Sequence, residues 1–167
     1  MIFKYLTKNF YISSLIIFLI FFADRISKIY VVNLVSKNNS SELLSSKFLN
    51  INLIWNEGIA FGLLSFDHSN LYNILTLFIA LIIVIVFFMI VKNNNIKRYP
   101  LLIIFGGAIG NLYDRIFFKA VPDFIDFHVG EFHWFIFNAA DIFISIGVIF
   151  MILLELIGNN KRDNEKI

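Results

Sequence analysis

Residues 71–91 read LYNILTLFIALIIVIVFFMIV, 21 residues without a charge. A helix that crosses the hydrocarbon core of a bilayer needs about 20 mostly apolar residues. This stretch meets that length outright, and the rest of the chain follows from it. Downstream, 101–118 is a second candidate, opened by Pro100, a residue suited to a first helical turn, and uncharged until Asp114 and Arg115. A third, 135–157, carries only Asp141 and, near its end, Glu155. Upstream, 10–23 is apolar, Asp24, Arg25 and Lys28 interrupt, and apolar residues resume through Val35. Asp24 and Lys28 stand four apart and can pair along one helix face, so 10–35 reads as one long helix with a polar patch. A secretory signal fits this N-terminus less well, because no small-x-small cleavage site follows.

Composition agrees. The 167 residues are 59% hydrophobic and only 16% charged, against roughly 45–50% and 25% for soluble domains. A soluble enzyme and a disordered chain are both excluded. With no cysteine there is no disulfide, thiolate metal site or cysteine nucleophile. A net charge of +2 is too small to suggest nucleic acid.

The expected fold is therefore an all-α polytopic membrane protein, one domain over 1–167, with four transmembrane helices. Eight of the 14 cations fall at the N-terminus, in the loop around Lys92, Lys97 and Arg98, and in the tail. Only Lys37, Lys47 and Lys119 fall in the opposite loops, which puts both termini in the cytoplasm. The first outer loop, about 36–70, contains the alternating run Leu49–Trp55, the pattern of a half-buried strand. It reads as a small strand-containing extracytoplasmic cap.

Ionisable groups inside membrane helices are expensive and usually functional. Here Asp24, Arg25 and Lys28, then Asn111, Asp114 and Arg115, then Asn138 and Asp141 share one depth near the outer face. Asp123 and Asp126 sit in what reads as a short outer connection between helices three and four. Asn111, Asp114 and Arg115 lie on one face of helix three, and Asn138, Asp141 and Ser145 on one face of helix four. Gly106 and Gly110 allow a neighbouring helix to come close. A structural polar network is the alternative reading, with Asp114 and Arg115 a plain ion pair. Asp126, His128, Glu131 and His133 read as structural, since their spacing does not suit zinc. Two carboxylates converging at a membrane edge suggest aspartic-protease chemistry, in which one carboxyl keeps its proton and the other takes one from water.

The chain resembles the lipoprotein signal peptidase family, signal peptidase II. Asp24-Arg-Ile-Ser-Lys28 resembles the motif of its first helix, and Asn56-Glu-Gly58-Ile-Ala60-Phe61-Gly62 that of its cap. Gly106-Gly-Ala-Ile-Gly110-Asn111-Leu-Tyr-Asp114-Arg115 matches the helix-three motif, and Phe137-Asn138-Ala-Ala140-Asp141 that of helix four. Val121-Pro-Asp123-Phe resembles a Val-Val-Asp-Phe segment, with Pro122 the departure. The resemblance implies removal of signal peptides from prolipoproteins, before a diacylglyceryl-modified cysteine, at a bacterial inner membrane. It implies Asp123 and Asp141 as catalytic residues, with Asp114 the rival partner. Asp24, Lys28, Asn56, Gly58, Asn111, Asp114, Arg115 and Asn138 would be supporting or substrate-binding. No cofactor or metal is expected. The expected partners are prolipoprotein substrates and membrane lipid, with the chain a monomer. An ion- or proton-coupled transporter is the competing reading. It requires a polar path through both halves of the membrane, and the inward halves here are apolar apart from Glu155.

Overall fold

A computed structural model describes residues 8–58 and 69–164. The elements run α1 (Lys8–Asn38), β1 (Glu42–Leu44), β2 (Leu49–Asn56), α2 (Ser69–Lys92), α3 (Arg98–Phe118), β3 (Val121–Val129), β4 (Phe132–Phe137) and α4 (Ala139–Asn164). The motif residues Ala60, Phe61 and Gly62 lie outside the described residues.

The helix α3 is the hub on which α1, α2 and α4 all pack. Its glycines make this possible. A Cβ on Gly106 would stand 2.9 Å from the Ile20 side chain, and one on Gly110 would stand 2.5 Å from Asp24 Oδ2, so this pair receives α1. A Cβ on Gly107 would come within 2.7 Å of the Ala140 carbonyl oxygen, so the opposite side receives α4. Small residues let helix backbones approach where lipid supplies no hydrophobic driving force.

Among the described residues, three helices are long and apolar enough to cross a membrane: Leu71–Lys92, Arg98–Phe118 and Ala139–Gly158. In the most apolar stretch of the first, only 11% of the residues are buried by the protein. Its outward side includes Ile74, Leu77, Phe78, Leu81 and Phe88, a surface far too apolar for water. The 31-residue α1, which carries Asp24, Arg25 and Lys28 at its centre, is not among these three.

The sheet corrects the all-α expectation. Four antiparallel strands stand in the order β1-β2-β3-β4, and two of them come from the segment read as a short connection. Asp123 and Asp126 lie on β3 rather than in a loop, and 135–137 is the end of β4 rather than the first turn of helix four. The physical reason is local. Phe132–Phe137 is a short apolar, aromatic run, which suits a strand as well as a helix, and Gly130 at φ 60° supplies the turn that pairs it with β3. Val31 of α1, Leu53 of β2 and Phe124 of β3 form the small core beneath the sheet.

Two features aim β3 at the helices. Lys119 takes a left-handed conformation at φ 59° and ends α3, so the chain turns directly back. Residues Val121–Phe124 are then buried. In the β2–β3 register, Asn56 faces Val121 and Ile54 faces Asp123. This brings the cap motif alongside the carboxylate on β3.

Candidate active site

The site is assembled from three asparagines, and each follows the same logic. An amide side chain has one accepting and one donating end. Where a fixed donor holds the oxygen, the NH2 must face the other way. The Asn56 oxygen accepts the Gly58 backbone N–H at 2.9 Å, and its Nδ2 donates to Asp123 Oδ2 at 2.8 Å. The Asn138 oxygen accepts the Asp141 backbone N–H at 3.2 Å, and its Nδ2 donates to Asp123 Oδ1 at 2.6 Å. The Asn111 oxygen accepts the Lys28 ammonium at 2.7 Å, and its Nδ2 donates to Asp141 Oδ1 at 2.8 Å.

Asn138 and Asp141 also form a capping box at the start of α4. Asp141 Oδ2 accepts the Asn138 backbone N–H at 3.1 Å while the Asn138 oxygen accepts in return. Reciprocal capping satisfies two donors that a helix start otherwise leaves open. The device that begins α4 therefore also orients both residues. Asn138 lies one residue before the helix, not within it.

Beneath the asparagines lies a buried ion cluster. Asp24 and Asp114 are both fully buried. Lys28 Nζ reaches Asp24 Oδ1 at 2.9 Å and Asp114 Oδ2 at 2.7 Å. Arg25 binds Asp24 Oδ2 at 2.7 Å and Asp114 Oδ1 at 2.5 Å, with a second contact from Nη2 to Asp114 Oδ2 at 2.7 Å. Two cations and two anions cancel, as burial requires. Asp24 Oδ1 also accepts the Ala140 backbone N–H at 3.1 Å, joining α1 to the first turn of α4. The expected pairing of Asp24 with Lys28 is present. The ion pair of Asp114 with Arg115, given as the alternative reading, is not. Asp114 is instead taken by Arg25 and Lys28, and Arg115 turns to the cap, donating Nη2 to the Gly58 carbonyl at 2.8 Å.

All ten residues singled out from the sequence thus fall in one connected network. Its centre is a cavity of about 20 Å³ lined by Asn56, Asn111, Arg115, Val121, Asp123, Asn138 and Asp141, room for about one water molecule. The Asp123 carboxyl is pushed up to about 6, chiefly by burial and further by the negative charge of Asp141. The amide donors of Asn56 and Asn138 and the Lys28 charge oppose this. Two residues were missing from the predicted site. Arg25 carries half the positive charge of the ion cluster, and Tyr72 OH donates to the Arg115 carbonyl at 3.4 Å. The position of Arg25 inside an apolar helix was a usable signal, whereas nothing in the sequence marks Tyr72.

Asp126 is bound by His133 Nδ1 at 2.9 Å, and the His128 and His133 rings stack with centres 4.9 Å apart. These groups tie β3 to β4 away from the cavity.

Lipid-facing helices around a water-sized cavity with two carboxylates define the class: an enzyme of the membrane that works with water. The chain belongs to the signal peptidase II family, since residues 16–157 match the family model described as signal peptidase (SPase) II. It is 54% identical over 159 residues to the lipoprotein signal peptidase of Pelagibacter ubique, covering 95% of this chain and 96% of that one. It is 36% identical over 153 residues to that of Anaplasma marginale, covering 87% and 84%. A bacterial membrane enzyme solved at 2.3 Å superposes with a TM-score of 0.67 at 28% identity, covering 90% of each chain. A second, solved at 1.9 Å, gives 0.65 at 29% identity, covering 86% and 91%. Membership of a peptidase family leaves the transporter reading without support.

Proposed function

We propose that this chain removes the signal peptide from prolipoproteins by aspartic-peptidase chemistry at Asp123 and Asp141. The observation that carries the reading is the shared cavity, in which both carboxylates are held by amide donors whose oxygens are already occupied. Like charges lining one cavity favour a single shared proton. The charged carboxylate takes a proton from a water molecule as its oxygen attacks the scissile carbonyl carbon. The neutral one donates its proton to the carbonyl oxygen. Collapse of the tetrahedral intermediate breaks the C–N bond, and a proton passes to the leaving amine. The two carboxyls titrate as a unit, so the proton belongs to the pair rather than to either residue. Asp24, Lys28, Asn111 and Asp114 position Asp141, while Asn56, Gly58 and Arg115 hold the cap beside Asp123.

The chain is read as one domain crossing the membrane four times, α1 being carried across because its charges are neutralised inside the bundle. Both termini lie in the cytoplasm of a bacterial inner membrane, by the distribution of Lys and Arg. The substrate cysteine bears a diacylglyceryl group, whose acyl chains hold the scissile bond near the outer face at roughly 0.8 kcal/mol per buried CH2. The cavity at the sheet end of α3 suits that depth. The chain acts as a monomer and needs no cofactor.

The test is cleavage of a diacylglyceryl prolipoprotein by the purified protein in lipid or detergent. Asp123→Asn and Asp141→Asn are each expected to lower turnover by about 10²–10⁴-fold, the worth of a positioned acid or base. Near-normal turnover in either folded variant would sink the assignment. Chelation is expected to leave activity intact; loss that zinc restores would bring His128 and His133 back into question.

A further inference from the structure

A second polar cavity lies at the opposite end of α3 from Asp123 and Asp141. Arg98 begins that helix and Asp114 is near its end, which separates the two by about 24 Å at 1.5 Å per residue. The hydrocarbon core is about 30 Å thick, so this cavity stands in the headgroup layer of the other leaflet. It has a volume of about 310 Å³ and is lined by Asn9, Ser13, Asn94, Asn95, Arg98 and Tyr99, with Ile12 and Ile96 as its apolar part. The α1 start and the loop between α2 and α3 form its walls.

The chemistry of the lining is one-sided. Among the described residues, no Asp or Glu lines it. The Arg98 Nε–H is buried and meets no acceptor among the described residues. A guanidinium cannot shed its proton, so a buried N–H of this kind calls for an acceptor oxygen. Neighbouring acid is already engaged, since Glu155 pairs with Lys97 at 2.5 Å. Of the lining amides, Asn95 has its oxygen occupied by the Lys97 backbone N–H at 3.0 Å, leaving its NH2 as the open end. Ile96 and Tyr99 are exposed beside these donors, an arrangement with one wet and one apolar side.

We propose that this cavity is a phosphate site occupied by the headgroup phosphodiester of an anionic lipid in the leaflet opposite the active site. Arg98 supplies the charged donor, the asparagine amides neutral ones, and the apolar edge meets the first carbons of the acyl chains. Basic pockets between membrane helices recognise anionic headgroups in this way. The inference rests on the membrane-spanning reading above but not on the identity of the catalytic residues.

Native mass spectrometry of the full chain in neutral detergent, titrated with phosphatidylglycerol or phosphatidylcholine, tests it. Wild type is expected to retain one phosphatidylglycerol in preference to phosphatidylcholine. Arg98→Gln is expected to weaken that binding about tenfold or more, the worth of a hydrogen bond to a charged group. Asn94→Asp, an exposed change that places a negative charge at the cavity, weakens it as well. Lys92→Gln, outside the cavity, leaves it unchanged. Retained prolipoprotein cleavage reports that each variant is folded. Undiminished lipid binding in both Arg98→Gln and Asn94→Asp overturns the site, and equal loss in Lys92→Gln reduces it to diffuse surface charge. A thermal-unfolding arm with inorganic phosphate separates the sources: stabilisation equal to that by phosphatidylglycerol overturns the lipid as occupant.

Discussion

Lys28 and Asp141 are joined through one amide. The Lys28 ammonium donates to Asn111 Oδ1 at 2.7 Å, and Asn111 Nδ2 donates to Asp141 Oδ1 at 2.8 Å. A lysine on the first helix therefore sets the hydrogen bonding of a carboxylate on the last. Lys28 also closes the ion cluster with Asp24 and Asp114, so one residue serves stability and positioning together.

Lys28→Met separates those duties poorly, and the outcome is correspondingly large. It leaves two buried carboxylates with Arg25 alone. Removing one member of a buried ion group costs about 3–5 kcal/mol. Thermal unfolding in detergent is expected to show a clear loss of stability, with turnover falling in the fraction that remains folded. A variant as stable and as active as wild type would mean that the cluster is dispensable.

The pH profile tests the asparagine at the cap. The Asp123 carboxyl stands at about 6, above its ordinary value of 3.8, mainly through burial. A raised carboxyl pKa means that the fold favours the protonated form. Its contribution to stability is full below the unfolded value and is lost as pH rises through about 6. Activity that needs one proton on the pair falls on the same alkaline side. The Asn56 amide favours the anion, so Asn56→Ala moves the alkaline limb of kcat/KM to higher pH. A limb that stayed still or moved downward would falsify the role given to this hydrogen bond.

Gly107→Ala probes the contact between α3 and α4. The added Cβ would stand 2.7 Å from the Ala140 backbone oxygen, and backbone does not swing aside. The helices must part, moving Asp141 away from Asn111. A misplacement of about 1 Å can cost about 10²-fold in rate. Turnover is expected to fall by that order with helical content retained, measured by cleavage assay and circular dichroism.

His133→Ala examines the hairpin. It removes the donor to Asp126 at 2.9 Å and leaves a buried carboxyl without that partner. The expected result is a stability loss of about 1–3 kcal/mol with kcat altered far less than in the dyad variants. A loss of turnover matching Asp123→Asn would move Asp126 and His133 into the chemistry.

The helices were legible because long uncharged runs such as 71–91 have one physical explanation. The site was legible because charges inside such runs demand partners. Spacing placed Asn111 and Asp114 on one face, and Gly106 and Gly110 announced a close neighbour. Three things were hidden. The β3–β4 hairpin was hidden because Phe132–Phe137 is short and apolar throughout, so no period distinguishes strand from helix. The partners of Asp114 were hidden because Arg25 and Lys28 are 89 and 86 residues away, a separation no local rule bridges. The capping role of Asn138 was hidden by placing the helix start four residues too early.

One bond made by Asp24 reaches beyond the folded protein. Its carboxylate accepts the backbone N–H of Ala140, 116 residues later, while its neighbours Arg25 and Lys28 wait for Asp114. During synthesis the charges of the first helix therefore stay unbalanced until the third helix brings Asp114, and its last hydrogen bond stays open until Ala140 follows. The polar network around the cavity is thus complete only when residues from both ends of the chain have met.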